Sequence, residues 1–326
     1  MRVKAIQHGS NNGHILRSRE TPHLSPSLKS LLLTVYNPVV HSLRKSRRWA
    51  LAFAQVAWTP CAICGRNGPK LFVPEAVGDE LVAMWGLNEA EAFDLRLKES
   101  LICPWCGSKH RARRLAAVFA EEARNWPRND LAGSNTDDTN PEKFTSNPVL
   151  ILNRIDGFDR MRMPAVISEV MITDYAEGAE PGEIVDGIRH EDVQRLTFAD
   201  GEFAFVIDSE TLEHVPDLHQ GLCEIFRVLR PGGLHIFTVP MKPGTERTES
   251  RIERDASGAW TDRMLPRLHH PGGSWGWEVH TEFGADFASK LQAMGWEVRI
   301  DSAGSEDLKL YGRDCVCDVY VTRKPG

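Results

Sequence analysis

No apolar run in this chain approaches the length needed to span a membrane. The longest near candidate, Leu31–Val40, is interrupted by Asn37-Pro38. The first residues, Gln7 to Asn12 and on through Arg17, Arg19 and Glu20, lack an apolar signal core, so a cytoplasmic protein is expected. Acidic side chains are scarce at the start: in residues 1–60, Glu20 stands alone against nine Lys and Arg. That segment carries +8, which leaves −14 on the rest of a chain whose total is −6. An acidic body argues against a nucleic-acid groove in the main domain. No internal repeat is present. The seven cysteines form an odd set, and four fall in two CxxC pairs, a pattern of a reducing compartment and metal binding rather than a disulfide framework.

What is present is enough chain, 326 residues, for one large domain and a smaller one. Apolar and charged fractions of 41% and 26% are those of an ordinary soluble globular protein. Residues 1–26 are polar and read as a disordered tail. Residues 27–58 hold a broken helical pattern with the basic stretch Arg44, Lys45, Arg47, Arg48. That stretch is a solvated helix face or a peripheral contact for a membrane surface or RNA. A cysteine-rich module follows over 59–124, then a linker over 125–147 rich in Asn, Asp, Ser, Thr and Pro, then an α/β region over 148–326.

The densest information lies in residues 203–240, FAFVIDSETLEHVPDLHQGLCEIFRVLRPGGLHIFTVP. Phe203–Ile207 is an apolar, β-prone run suited to a strand buried on both faces. Asp217 can cap a helix whose Leu218, Leu222, Ile225, Phe226 and Leu229 recur at helical spacing. Pro231-Gly232-Gly233 stops it, and Leu234–Val239 is a second strand. Ligands of open α/β sheets sit beyond the carboxyl ends of strands, which here carry Asp208, Ser209, Glu210, Glu213 and His214. Around this unit the other strands are expected at Val149–Leu152, Ala165–Ser168 with Glu169, Ile188–Asp192 and Trp296–Ile300. Cys317–Thr322 alternates as an antiparallel edge strand would.

The acidic elbow, the string LEHV, the helix ending LRPGG and the strand ending VP resemble the second half of a class I S-adenosylmethionine-dependent methyltransferase of the small-molecule type. The resemblance implies a Rossmann-like α/β sheet, mostly parallel with an antiparallel last strand, behind a small N-terminal zinc-binding module. It implies S-adenosylmethionine as cofactor and a small-molecule substrate, a glycan or lipid precursor being the expected kind. Carried onto this chain, the glycine loop is Asn153–Phe158, with Gly157 its sole glycine. Glu169 holds the ribose, Asp192 and Val193 flank the adenine, and Asp208 and Ser209 line the methionine end. NRIDGF departs from the family's glycine-rich loop, and Arg154 adds bulk and charge there. A methyltransferase-like scaffold with weak or no activity, and an RNA methyltransferase using the basic N-terminus, are the alternatives.

Cys61-Ala-Ile-Cys64-Gly65 and Cys103-Pro-Trp-Cys106-Gly107 read as two zinc knuckles. Two thiolates two residues apart reach one metal, and four close a tetrahedral structural zinc site with no open position. The 38 residues between Cys64 and Cys103 exceed a compact ribbon and include an expected helix, Asp79–Ser100. The alternative is free thiols. CPWCGSKHRARRLA also resembles the zinc-binding leader, CPxCGS-x-x-R-x-R and a helix, that precedes some small-molecule methyltransferase domains. Methyl transfer needs alignment and, for a hydroxyl acceptor, a base. His280, which opens a segment resembling the family's approach to its late helix, and His214 at the elbow are the candidates. The insertion Met241–Glu278, with His269, His270, Trp275 and Trp277, is the expected substrate lid. Oligomeric state is not legible.

Overall fold

A computed structural model describes residues 59–72, 77–127, 147–270, 276–302 and 317–326. The expected tail over 1–26, the basic segment over 27–58, most of the linker, Trp275 and Cys315 lie outside the described residues. Among the described residues no helix is long and apolar enough to cross a membrane.

Four two-residue strands, β1 (Thr59–Pro60), β2 (Asn67–Gly68), β3 (Leu71–Phe72) and β4 (Leu101–Ile102), pair as β1-β2 and β3-β4 in the cysteine module, and the core is one eight-stranded sheet. In chain order its strands are β5 (Pro148–Ile151), β6 (Glu169–Asp174), β7 (Ile184–Val185), β8 (Ile188–His190), β9 (Phe203–Ser209), β10 (Leu229–Thr238), β17 (Glu297–Asp301) and β18 (Val319–Arg323). Their spatial order is β17-β18-β10-β9-β5-β6-β8-β7. β8, β6, β5, β9 and β10 run parallel, and β18 is antiparallel to both of its neighbours. This is the Rossmann-like, mostly parallel sheet with an antiparallel last strand expected from the sequence, with β7 added as a short antiparallel edge.

Three local expectations change. The second strand is not Ala165–Ser168, which lies in a turn where Ile167 N donates to Pro164 O at 3.0 Å, but Glu169–Asp174. Its run Val170-Met171-Ile172-Thr173 supplies the β-branched and apolar side chains a sheet position uses. The alternating last strand is not an edge: β18 lies between β10 and β17, and four of its five residues are buried. The helix expected over 79–100 is two, α1 (Asp79–Trp85) and α2 (Glu89–Ser100). Gly86 in the left-handed region ends the first, and Asn88 starts the second with a reciprocal capping box to Glu91.

Two helical layers cover the sheet. On one face, α3 (His110–Asn125) presents Ala112, Leu115, Ala116, Phe119 and Ala123 at helical spacing, all buried against Val149, Phe205, Ile207 and Ile236. Phe119 and Trp126 meet Phe205 with ring centroids 5.4 and 4.5 Å apart. On the other face lie α4 (Leu218–Val228), capped by Asp217 accepting from Gln220 N at 3.1 Å, and α5 (Phe287–Ala293). Between β5 and β6 the chain makes only the short 3-10 turn Phe158–Arg160. The layer a helix would have formed there is filled by α3, which enters from the cysteine module. Truncating Phe119 would therefore open a cavity under the sheet, at a cost of about 3–5 kcal/mol.

Candidate active site

The sheet changes direction beside β5: the chain steps from β5 to β6 and β8 on one side, then crosses to β9 and β10 on the other. Ligands of such sheets bind beyond the carboxyl ends at that point.

On the β6 side, the residue at the carboxyl end is Asp174. Its Oδ2 lies 2.8 Å from Arg154 Nε, and its Oδ1 accepts from Tyr175 N at 3.1 Å. Tyr175 is half exposed and meets His190 and Trp277 edge-on at 5.3 and 6.0 Å. Its hydroxyl pKa is raised, first by burial and then by the charge of Asp192. Asp192, just past β8, accepts from Gln194 N at 2.9 Å and Gln194 Nε2 at 3.1 Å, closing a tight turn. Val193 does not face the opening: it is buried and packs in the core below α4. Glu169, expected at the ribose, opens β6 instead of ending it and pairs with Pro148 at the start of β5. Five strand steps, roughly 17 Å, separate it from Asp174. Placing the strand four residues early caused that error.

On the β9 side, strand alternation sends Asp208 and Ser209 to opposite faces. Asp208 is fully buried, and its Oδ2 lies 2.5 Å from Nε2 of the equally buried His235 on β10. Burial raises its pKa, with His235 opposing. Its carboxylate therefore sits inside the sheet's α4 and α5 layer and does not line the methionine end. Ser209 faces the α3 side. Its Oγ receives Arg111 Nη1 at 2.5 Å and lies 2.9 Å from Thr238 Oγ1. Asn153, at the end of β5, donates to Ser209 O at 2.9 Å and accepts from Ser209 N at 3.3 Å, stitching the two strand ends together. Glu210, held at a left-handed φ of 54°, takes Lys98 Nζ at 2.9 Å. Arg111 also pairs with Glu99 at 2.9 Å, and Arg111 and Lys98 hold the Glu99 carboxyl at about 2 although burial pushes it up. Lys98 was not singled out from the sequence, Arg111 entered only as one of the basic residues after the second knuckle, and Asn153 only as the start of the glycine loop.

The cysteine module abuts the same opening. Cys61 and Cys106 Sγ are 3.7 Å apart, and Cys64 and Cys103 Sγ 3.9 Å. A tetrahedron with zinc–sulfur bonds of about 2.3 Å has edges of about 3.8 Å, so the four thiols fit one zinc ion. The two knuckles are alike: Gly65 N donates to Cys61 O and Gly107 N to Cys103 O, both at 2.8 Å. Hydrogen bonds from backbone amides bring Cys61 down to about 7 against the pull of burial, whereas burial keeps Cys64, Cys103 and Cys106 raised. Gly157 belongs to this region rather than to an open loop. It has φ of 81°, and a Cβ there would come 3.1 Å from Cys106 O and 3.2 Å from Ser108 Cβ. The sole glycine of NRIDGF is needed for the close approach to the second knuckle.

Histidines gather at the end of the insertion. His214 lies in a 3-10 turn, Leu212–His214, and its Nδ1 is 2.7 Å from Glu278 O. Its Nε2 and His270 Nδ1 are each 3.4 Å from Oε1 of the fully buried Glu213. Burial would lower the His270 pKa, but Glu213 outweighs it and raises it. His280 donates its backbone N–H to Glu213 O at 2.7 Å, and its buried Nδ1 has no hydrogen-bond partner. Burial lowers its pKa below the usual 6.5. The insertion itself is a set of short antiparallel pairs, β11 (Glu249–Ser250) with β16 (Thr281–Glu282), β12 (Ile252–Arg254) with β13 (Trp260–Asp262), and β14 (His269–His270) with β15 (Trp277–Glu278).

Residues 165–237, from just before β6 into β10, match the family model described as a methyltransferase domain. No curated protein sequence matches the chain. Among solved structures, an S-adenosylmethionine-dependent methyltransferase from Mesorhizobium loti is 18% identical, covers 55% of this chain and 92% of its own, and has a TM-score of 0.35. A 1,6-didemethyltoxoflavin-N1-methyltransferase from Burkholderia thailandensis, solved with 1,6-didemethyltoxoflavin and S-adenosylhomocysteine, is 16% identical, with coverages of 79% and 96% and a TM-score of 0.37. Scores this low leave the fold to rest on the sheet order itself. Residues 165–237 are therefore similar to a methyltransferase domain, carried on a sheet whose order is Rossmann-like.

Proposed function

We propose that the protein transfers a methyl group from S-adenosylmethionine to a small-molecule acceptor, a glycan or lipid precursor. The observation that carries this reading is a pair of carboxylates, Asp174 and Asp192, just past or at the ends of adjacent parallel strands within the segment matching a methyltransferase domain. Asp174 suits a ribose diol, which needs an acceptor at the end of the second strand, and Asp192 suits the adenine amine. When bound, the cofactor supplies an electrophilic methyl group on a sulfonium. A shallow groove lined by Trp85, Leu87, Leu95, Val239 and Met241, with Glu91, Asp94 and Asp318 at its rim, offers an apolar wall for an acceptor.

His280 is the base in this proposal. Its Nδ1 has no hydrogen-bond partner among the described residues, so a ring nitrogen stands free to take a proton from an acceptor hydroxyl. His214 is held at Nδ1 by a carbonyl and suits positioning better than proton transfer. Zinc on Cys61, Cys64, Cys103 and Cys106 is structural here, fixing α3 against the sheet. Calorimetry with S-adenosylmethionine tests the reading, with saturable one-to-one binding expected. A second reading, a scaffold without activity, is favoured by the Arg154–Asp174 pair and the Asn153–Ser209 stitch that occupy the cofactor end. Absence of heat at high protein concentration would support it. With an acceptor in hand, the rate should rise with pH through an inflection below 6.5, and His280→Gln should abolish that limb.

A further inference from the structure

We propose that Glu213, His214 and His270 form a second metal site, distinct from the four cysteines, that takes a zinc-like divalent ion and leaves one position open for an oxygen ligand. The ligand atoms of these three residues all lie within 4.8 Å of one another. Two of the edges, Glu213 Oε1 to His214 Nε2 and to His270 Nδ1, are both 3.4 Å. Zinc–nitrogen and zinc–oxygen bonds of about 2.1 Å in a tetrahedron give edges of about 3.4 Å. The spacing is that of ligands around an ion.

Two further observations point the same way. Glu213 is fully buried, and neither carboxylate oxygen has a hydrogen-bond partner. A buried carboxylate in that state is costly unless a cation faces it. The two imidazoles make only ion-pair contacts with it at 3.4 Å, whereas an ion among the three would use its lone pairs directly. The second observation is the outer contact of His214: its Nδ1 lies 2.7 Å from the Glu278 carbonyl. Such a contact holds the proton on Nδ1 and leaves Nε2, the atom facing Glu213, as a lone-pair donor, the arrangement usual for metal-binding histidines.

The side chains of His214 and His270 remain 18% and 21% exposed. A fourth ligand can therefore reach the ion from solvent, so the site is of the open kind, unlike the closed cysteine shell. Trp277, 6.5 Å from His214, forms one wall, and Tyr175 beyond it leads to Asp174. An oxygen of a small molecule, a hydroxyl or carboxylate, is the ligand this position would take. The inference does not depend on methyl transfer.

The test is a Co²⁺ titration of the purified, zinc-replete chain without a polyhistidine tag, so that the cysteines stay occupied. One further equivalent should bind, with visible d–d absorption, without a thiolate charge-transfer band, and with quenching of tryptophan emission that is reduced in Trp277→Phe. Glu213→Gln and His270→Ala should each weaken that equivalent at least about tenfold while retaining the cysteine-bound zinc, and His269→Ala should bind as the wild type does. No further equivalent in the wild type would overturn the site, whatever the variants do. So would equal affinity in folded Glu213→Gln and His270→Ala chains, or a thiolate band showing that the added ion had entered the cysteine shell.

Discussion

The carboxyl ends of β6 and β9 flank β5 on either side and are built in opposite ways. At β9 nearly every polar group is engaged: Ser209 holds Arg111, Thr238 and Asn153, and Glu210 holds Lys98. At β6, Asp174 has one side-chain partner, Arg154, which is 69% exposed. The β9 end is fastened from outside the sheet, because Lys98, Glu99 and Arg111 all belong to the cysteine module. The β6 end is left to solvent. Groups that hold the fold are saturated, and groups that suit a ligand keep unused valence.

The largest break of this contrast is Cys103→Ala. If the four thiols hold the proposed zinc, it would supply on the order of 10 kcal/mol of folding free energy, comparable to the whole stability of a domain. The variant should lose its zinc and its cooperative thermal transition, because α3 loses its anchor and the sheet loses one layer. A wild-type melting curve in the zinc-free variant would contradict this. Next is Arg111→Ala, which leaves the half-buried Glu99 with Lys109 alone; the cost should fall below the ~3–5 kcal/mol of a fully buried pair. Urea unfolding should show that loss, and Arg111→Ala combined with Glu99→Gln should recover part of it. The pair also sets a pH window. The Glu99 pKa is depressed from 4.5 to about 2, so its contribution is present above pH 4.5 and is lost as pH falls toward 2. The smallest effect belongs to Arg154→Ala: an exposed ion pair is worth about 0–1 kcal/mol. Stability should hardly change, while cofactor affinity should stay or rise slightly as Asp174 is released; a clear loss of affinity would mean that Arg154 itself contacts the cofactor.

The two ends also differed in how far they could be read. The strand–helix–strand unit over 203–240 was legible in outline because its periodicities agree. The helix, however, ends at Val228 and the second strand starts at Leu229, so Pro231-Gly232-Gly233 lies inside that strand where its pairing with β9 shifts. The cysteine pairs were legible because CxxC spacing carries its own geometry. Glu169 was misplaced because two short segments competed for one strand, and the β-branched run ending in Asp174 was the signal that decided it. Gly157 was read as cofactor-facing because a glycine announces close approach without naming the neighbour, here Cys106 and Ser108. Asp208 is the right residue type on a strand end whose alternation turns it inward to His235. Arg111 at Ser209 and His270 at Glu213 join positions 98 and 57 residues apart, and no local pattern marks such pairs.

The central claim is that Asp174, not Glu169, marks the cofactor end of the cleft. Isothermal calorimetry with S-adenosylhomocysteine on the wild type, Asp174→Ala and Glu169→Ala tests it most directly. The account predicts binding by the wild type, at least about a tenfold weakening (1.4 kcal/mol) in Asp174→Ala, and unchanged affinity in Glu169→Ala. Binding that survives Asp174→Ala but falls with Glu169→Ala, or a wild type that binds nothing, would contradict it.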